Sequence, residues 1–140
     1  MHQLKQLMHT PVFACSPDAT LVMAAQEMDK HKVGSLVVTD REDRILGMVT
    51  DRDIALAIGR EKAPETPVDR ISTHSVVTIG SEADARDAIE LMGAKGVWRL
   101  PVTDDGGRPV GMVSLNDVFG SLAQETQELS VAAHAHRPQL

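Results

Sequence analysis

Three observations predict an α+β fold built from one β-α-β-β-α unit used twice. The chain repeats itself: Gly47-Met48-Val49-Thr50-Asp51-Arg52-Asp53-Ile54 returns as Gly111-Met112-Val113-Ser114-Leu115-Asn116-Asp117-Val118, an offset of 64 residues that holds register without a gap from Met8 to Ala57. Within each copy, short runs rich in Val, Leu and Met, bounded by Gly, Pro and Asp, alternate with stretches of helical apolar spacing. At 140 residues the chain can bury one core, or one built from two small halves, so neither half is expected to stand alone.

A lead-in precedes the first copy. Residues 1–9 carry Leu4, Leu7 and Met8 at helical spacing, a short helix that packs on the body or on another subunit, and Thr10-Pro11 ends it. Val12 to Cys15 reads as the first strand. Ser16-Pro17 supplies a cap and a first-turn proline for a helix from about Asp18 to His31, with Leu21, Ala24, Ala25 and Met28 on its apolar face. His31 and Lys32 suit the C-terminal dipole of that helix, and Gly34 releases the chain into the strand Ser35 to Thr39. The polar stretch Asp40 to Arg44 turns it back into Ile45 to Val49 as a hairpin, and a second helix runs from Thr50 to about Ile58.

Gly59 to Pro67, polar and with two prolines, marks the connector. The expected boundaries are a lead helix at 1–9, a first repeat at 8–60, the connector at 61–70, a second repeat at 71–129 and a flexible tail at 130–140. In the second copy Val76 to Ile79 is the first strand, and Ser81 with Asp84 is a capping box for a helix to about Lys95. Arg99 to Thr103 is the central strand, Asp104-Asp105-Gly106-Gly107 the turn, and Val110 to Val113 the last strand. The closing helix runs from Ser114 to about Glu128, with Leu115, Val118, Leu122 and Leu129 at apolar spacing. Beyond Ala132 the chain reads as frayed, and His134 with His136 reads as part of a solvated tail, because no third ligand type is near for a metal.

Composition narrows the function classes. A net charge of −6, no run of Lys or Arg, and only two Phe and one Trp argue against a nucleic-acid surface. No apolar run approaches the roughly 20 residues of a membrane-spanning helix, and residues 1–9 lack the apolar core of a signal peptide, so a cytoplasmic location away from membranes is expected. Cys15, the single cysteine, lies in an apolar run and reads as a small buried hydrophobe rather than a nucleophile.

The chemistry is concentrated at two turns. Thr50-x-x-Asp53 and Ser114-x-x-Asp117 each place a hydroxyl and a carboxylate where a strand enters a helix and the first N–H groups are unpaired. Such a turn either caps itself, as in a capping box, or holds the polar atoms of a ligand. Its recurrence at the end of an apolar strand in both copies, where a cleft is expected, favours the ligand.

The two copies resemble a tandem pair of cystathionine beta-synthase (CBS) domains, the regulatory pair called a Bateman module. The resemblance covers nearly the whole chain and is carried by Gly47 to Asp53 and Gly111 to Asp117, together with Val33-Gly34-Ser35-Leu36-Val37-Val38 and Val97-Trp98-Arg99-Leu100-Pro101-Val102. It implies two repeats packed with pseudo-twofold symmetry, sheet face to sheet face. Adenine nucleotides or related adenosyl compounds (AMP, ADP, ATP or S-adenosylmethionine) would bind in the two clefts between them.

Residue by residue, the resemblance places Thr50 and Asp53 on the sugar in one cleft, walled by Val76 and Val97, and Ser114 and Asp117 in the other, walled by Val12, Val33 and Gly34. A carboxylate suits a vicinal diol because its two oxygens accept two hydroxyl protons. The alternative for the valines is plain core packing. Arg99 and Arg52 are the candidates for phosphate, Arg52 being equally readable as an exposed first-turn residue. Asn116 replaces it in the second copy, so the clefts are not expected to be equivalent. Trp98 stands where many members carry a polar or basic residue and either stacks on a base or plugs the cleft; Val37 stands where the second copy has Pro101.

The expected function is a ligand-sensing regulatory module that is not an enzyme and has no catalytic cofactor, read out by an unidentified protein partner. Phosphate-cradling loops, dinucleotide fingerprints and Ser/His/Asp arrangements are lacking. A ligand-independent dimerisation module is the alternative. A cryptic hydrolase using Asp53, Asp117, His9, His31 or His74 is weaker still, because nothing positions them as acid and base. The resemblance further implies a homodimer, for which Ile54, Leu56 and Ile58 with Val118, Phe119 and Leu122 offer apolar material.

Overall fold

The structure, a computed structural model, describes residues 2–135. After a single turn α1 (Leu4–Leu7), the first repeat runs β1 (Ala14–Cys15), α2 (Leu21–His31), β2 (Ser35–Thr39), β3 (Ile45–Thr50) and α3 (Asp51–Gly59). A 3-10 turn at Val68–Arg70 leads into β4 (Ile79–Gly80), α4 (Ala85–Lys95), β5 (Arg99–Thr103), β6 (Pro109–Ser114) and α5 (Leu115–Ala135). The α+β class and the doubled β-α-β-β-α order are therefore as expected.

Each repeat forms a three-stranded sheet, β1-β2-β3 or β4-β5-β6, with a parallel first pair and an antiparallel hairpin. The registers superimpose at the offset of 64: Leu36 faces Val49 as Leu100 faces Val113, and both hairpins shift register at Val38/Thr39 and Val102/Thr103. Leu36, Val38 and Val49 close one core with Leu21, Ala24, Met28, Ile54 and Ala57 from the helices; Leu100, Val102 and Val113 close the other with Ala85, Ala88, Met92 and Val118. By strand alternation Val37 and Pro101 point to the opposite sheet faces, and both are fully buried, so these faces are covered as well. Val37 also donates its N–H to Phe13 O at 3.1 Å, a bond that Pro101 cannot make in the second repeat.

Segments preceding each repeat cross to the other one. Leu4 is fully buried in the second core, with its N–H on Ala83 O (3.1 Å), while Val68 is fully buried in the first, with its N–H on Ala19 O (2.8 Å). Further along, His9 exchanges backbone bonds with Met112 (2.8 and 3.1 Å) and Thr73 with Met48 (2.9 and 3.0 Å). The lead-in thus packs on the body, against the repeat it does not precede in sequence. Gly47 and Gly111 admit these crossings: a Cβ on Gly47 would stand 2.7 Å from Thr73 O, and one on Gly111 would overlap the Met8 side chain.

Several sequence expectations are corrected. The first long helix starts after Thr20, whose hydroxyl accepts from Met23 N–H; Ser16 instead accepts from Asp18 N–H in a tight turn. In the second repeat the capping box is Asp84 with Asp87, not Ser81 with Asp84, because Ser81 N–H is used by Thr103 O in the sheet. The first strands are two residues long, since Val12, Phe13, Val76 and Val77 line cavities instead. Helix α5 continues to Ala135, with His134 Nδ1 on Ser130 O; His136 lies outside the described residues.

Candidate functional site

Both Thr/Ser-x-x-Asp turns fold as reciprocal caps, and both lie on a cavity between the repeats. At the first turn Thr50 N–H donates to Asp53 Oδ2 (2.9 Å) and Asp53 N–H to Thr50 Oγ1 (3.2 Å). One carboxylate oxygen is spent on the cap, and Asp53 Oδ1 has no hydrogen-bond partner among the described residues. The cavity beside it measures about 570 Å³, within the range of small-molecule pockets. Thr50, Asp51, Arg52 and Asp53 supply one wall; Thr73, Ser75, Val76 and Val77 come from the crossing segment; Gly96, Val97, Trp98 and Arg99 come from the second repeat.

Cleft two is smaller, about 270 Å³, and is built from Met112, Ser114 and Asp117, the lead-in residues His9, Pro11, Val12 and Phe13, and Val33, Gly34 and Ser35. Here Asp117 Oδ2 accepts both the N–H and the hydroxyl of Ser114 (2.8 Å each), and Asp117 N–H donates to Ser114 Oγ (3.2 Å). Its remaining oxygen, Oδ1, accepts from His9 Nε2 at 2.8 Å. Burial pushes the Asp117 carboxyl upward, but the Ser114 N–H, the His9 ring and the Ser114 hydroxyl outweigh it and hold it below the ordinary carboxylate value.

Every residue expected on the two sites lies on one of these cavities: Thr50, Arg52, Asp53, Val76, Val97, Trp98 and Arg99 on the first, and Val12, Val33, Gly34, Ser114 and Asp117 on the second. Arg99 borders both. Val33 and Val97 also pack on the cores, whereas Val12 and Val76 do not. Trp98 is 75% exposed at the mouth of the first cleft and leaves its volume open, contrary to the plug reading. Neither the Arg52 nor the Arg99 guanidinium makes an ion pair among the described residues, so both are available to an anion.

Sequence reasoning missed Asp51, Thr73, Ser75 and Val77 in the first cleft and gave His9 only a hydrolase role. The offset of 64 carried the signal, since it maps His9 onto Thr73. His31 stacks on Phe13 with ring centres 3.8 Å apart and bonds Glu27, while His74 bonds Asp69, so neither stands by Asp53. Among the described residues no group of three or more His, Cys, Asp or Glu is placed to hold a metal, and no helix is long and apolar enough to cross a membrane.

Two repeated half-domains, joined by exchanged segments and enclosing two capped-turn clefts, define a tandem-repeat protein with two inter-repeat clefts. The CBS domain family model matches residues 4–60 and 68–124, and the chain belongs to that family. It is similar to the CBS domain-containing protein YhcV of Bacillus subtilis, 36% identical over 121 residues that cover 84% of each chain. Among solved structures, the CBS domain protein PAE2072 from Pyrobaculum aerophilum complexed with AMP superimposes with a TM-score of 0.78 at 25% identity, covering 87% of this chain and 98% of that one. The CBS domain pair of protein MJ0100, in complex with 5-methylthioadenosine and S-adenosyl-L-methionine, gives 0.79 at 23% identity over 88% and 97%. Proteins consisting of such CBS pairs are generally regulatory.

Proposed function

We propose that this chain is a regulatory module that binds an adenine nucleotide (AMP, ADP or ATP) or a related adenosyl ligand such as S-adenosylmethionine in its inter-repeat clefts, without catalysing a reaction on it. The observation that carries the reading is the first cleft, where the unpartnered Asp53 Oδ1 and the unpaired Arg52 and Arg99 guanidiniums surround an apolar slot between Val76 and Val97. The slot accepts a flat base, over which Trp98 can stack. Asp53 Oδ1 accepts from the ribose hydroxyls, the Thr50 hydroxyl proton is free to donate, and the arginines take the phosphate. AMP in the PAE2072 complex supports this ligand class.

Binding acts on a partner by changing how the repeats or subunits sit, since a ligand shifts an equilibrium only through unequal affinity for its states. The module works as a cytoplasmic homodimer, and the protein partner that reads it is unidentified. Leu56, Ile58 and Phe119 are the exposed apolar residues offered to the second copy, with half-buried Leu122 beside them. Ile54 and Val118, expected there from sequence, are spent in the two cores.

Thermal shift with AMP, ADP, ATP and S-adenosylmethionine tests the reading. A ligand at 100 times its Kd stabilises the native state by about 2.7 kcal/mol and raises Tm accordingly. Asp53→Ala is expected to abolish the increment in the first cleft. A second reading, ligand-independent dimerisation, is favoured by the completeness of both caps, which need no ligand. Unchanged melting with all four compounds selects it.

A further inference from the structure

The clefts differ at one crossing residue. His9 and Thr73 occupy corresponding positions, and each exchanges two backbone hydrogen bonds with the corresponding methionine, Met112 or Met48. The backbones are thus equivalent and the side chains are not. Thr73 makes no bond to Asp53, whose Oδ1 stays open; His9 reaches across the second cleft and holds Asp117 Oδ1 at 2.8 Å. Ser114 already fills both acceptor positions on the other oxygen of Asp117 and His9 takes one of the two on Oδ1, so a ligand diol, which needs two, cannot be held by this carboxylate without displacing the imidazole. The His9 ring is 73% exposed and Asp117 only 18%, which places the imidazole between the carboxylate and solvent. The cavity behind it is correspondingly about 270 Å³ against about 570 Å³.

We infer that His9 determines which cleft is used: by occupying Asp117 Oδ1 it excludes a nucleoside diol from the second cleft and makes the module a one-nucleotide device that fills the first. The inference rests on the nucleotide reading of the clefts. A hydrogen bond to an ionised group must be exchanged before the diol can bind, which corresponds to roughly 10- to 100-fold weaker binding than in the open cleft. Arg99 acts in the same direction, since one guanidinium borders both cavities and a phosphate in the first cleft claims it.

Calorimetric titration of the full chain with AMP tests this. The parent is expected to bind one AMP per chain, and Asp53→Ala to remove it. His9→Thr, which installs the residue found at the corresponding position, is expected to reveal a second equivalent at least 10-fold tighter than any weak second phase of the parent, and His9→Ala to do the same. In an Asp53→Ala background, His9→Thr is expected to restore a single equivalent. Two comparable equivalents in the parent, or one that survives Asp53→Ala, overturn the inference while leaving nucleotide binding intact; so does a folded His9→Thr whose second site is unchanged. No binding of AMP, ADP, ATP or S-adenosylmethionine by any of these proteins refutes the nucleotide reading and the inference together.

Discussion

Replacing Gly47 by alanine probes the crossing on which the first cleft depends. The new Cβ would lie 2.7 Å from Thr73 O, 3.2 Å from Ser72 Oγ and 3.6 Å from His74 Cδ2. The first of these is a backbone oxygen and cannot rotate away. Relief requires the 72–74 segment to retreat by several tenths of an ångström. That stretches the bonds of Met48 N–H to Thr73 O and Thr73 N–H to Met48 O, now 3.0 and 2.9 Å. Weakening two bonds worth about 0.5–1.5 kcal/mol each gives a loss of roughly 1–3 kcal/mol, the range usual for overpacking. For a chain of this size that is a fall in Tm of roughly 3–10 °C. Gly93→Ala is the control: Gly93 lies inside α4, a Cβ there meets nothing within 4 Å, and the variant is expected to gain about 0.5–1 kcal/mol from helix propensity. Differential scanning fluorimetry on both variants decides the matter. Gly47→Ala melting with the parent would refute the claim that Thr73 backbone is pinned against this glycine.

Leu4→Ala should cost about 2–5 kcal/mol in urea unfolding, because Leu4 is fully buried in the second core; a surface-like value under 1 kcal/mol would mean the lead-in does not dock there. Lys32 closes α2 with φ 56°, where the matching residue of α4 is Gly96 at φ 66°, so Lys32→Gly is expected to raise stability by about 0.5–1 kcal/mol, read as a higher urea midpoint. Asp40, Asp84 and Asp117 are all held below the ordinary carboxylate value, the first two chiefly by N–H groups of Arg44 and Asp87. A depressed native value means stability that is fully present above the unfolded value near 3.9 and lost as pH falls below it, so Tm should be level near neutrality and decline from about pH 5 downward. Asp117→Asn should flatten part of that decline.

Residues whose roles are local were legible in the sequence. The hairpins between Asp40 and Arg44 and between Asp104 and Arg108, the apolar faces of α2 and α4, and the Thr50/Asp53 and Ser114/Asp117 turns all depend on neighbours within a few positions. Helix starts were less legible, because Ser16-Pro17 and Thr20 are both acceptable entries and the choice falls to Ala19, whose carbonyl is taken by Val68 from the connector. Burial of Ile54 and Val118 was hidden for the same reason, since an apolar residue on a helix serves a core or an interface equally well until the sheet beneath it is placed.

The duplication, its offset of 64, the strand and helix order and the paired capping turns were determined by sequence alone, because they are set by short-range chemistry that is written twice. Only the tertiary structure decided that each leading segment crosses to the opposite repeat, that Arg99 borders both clefts, and that the His9 imidazole meets Asp117 across 108 residues of chain. Pairings at such separation depend on how two complete cores dock, and no local pattern in the chain encodes that geometry.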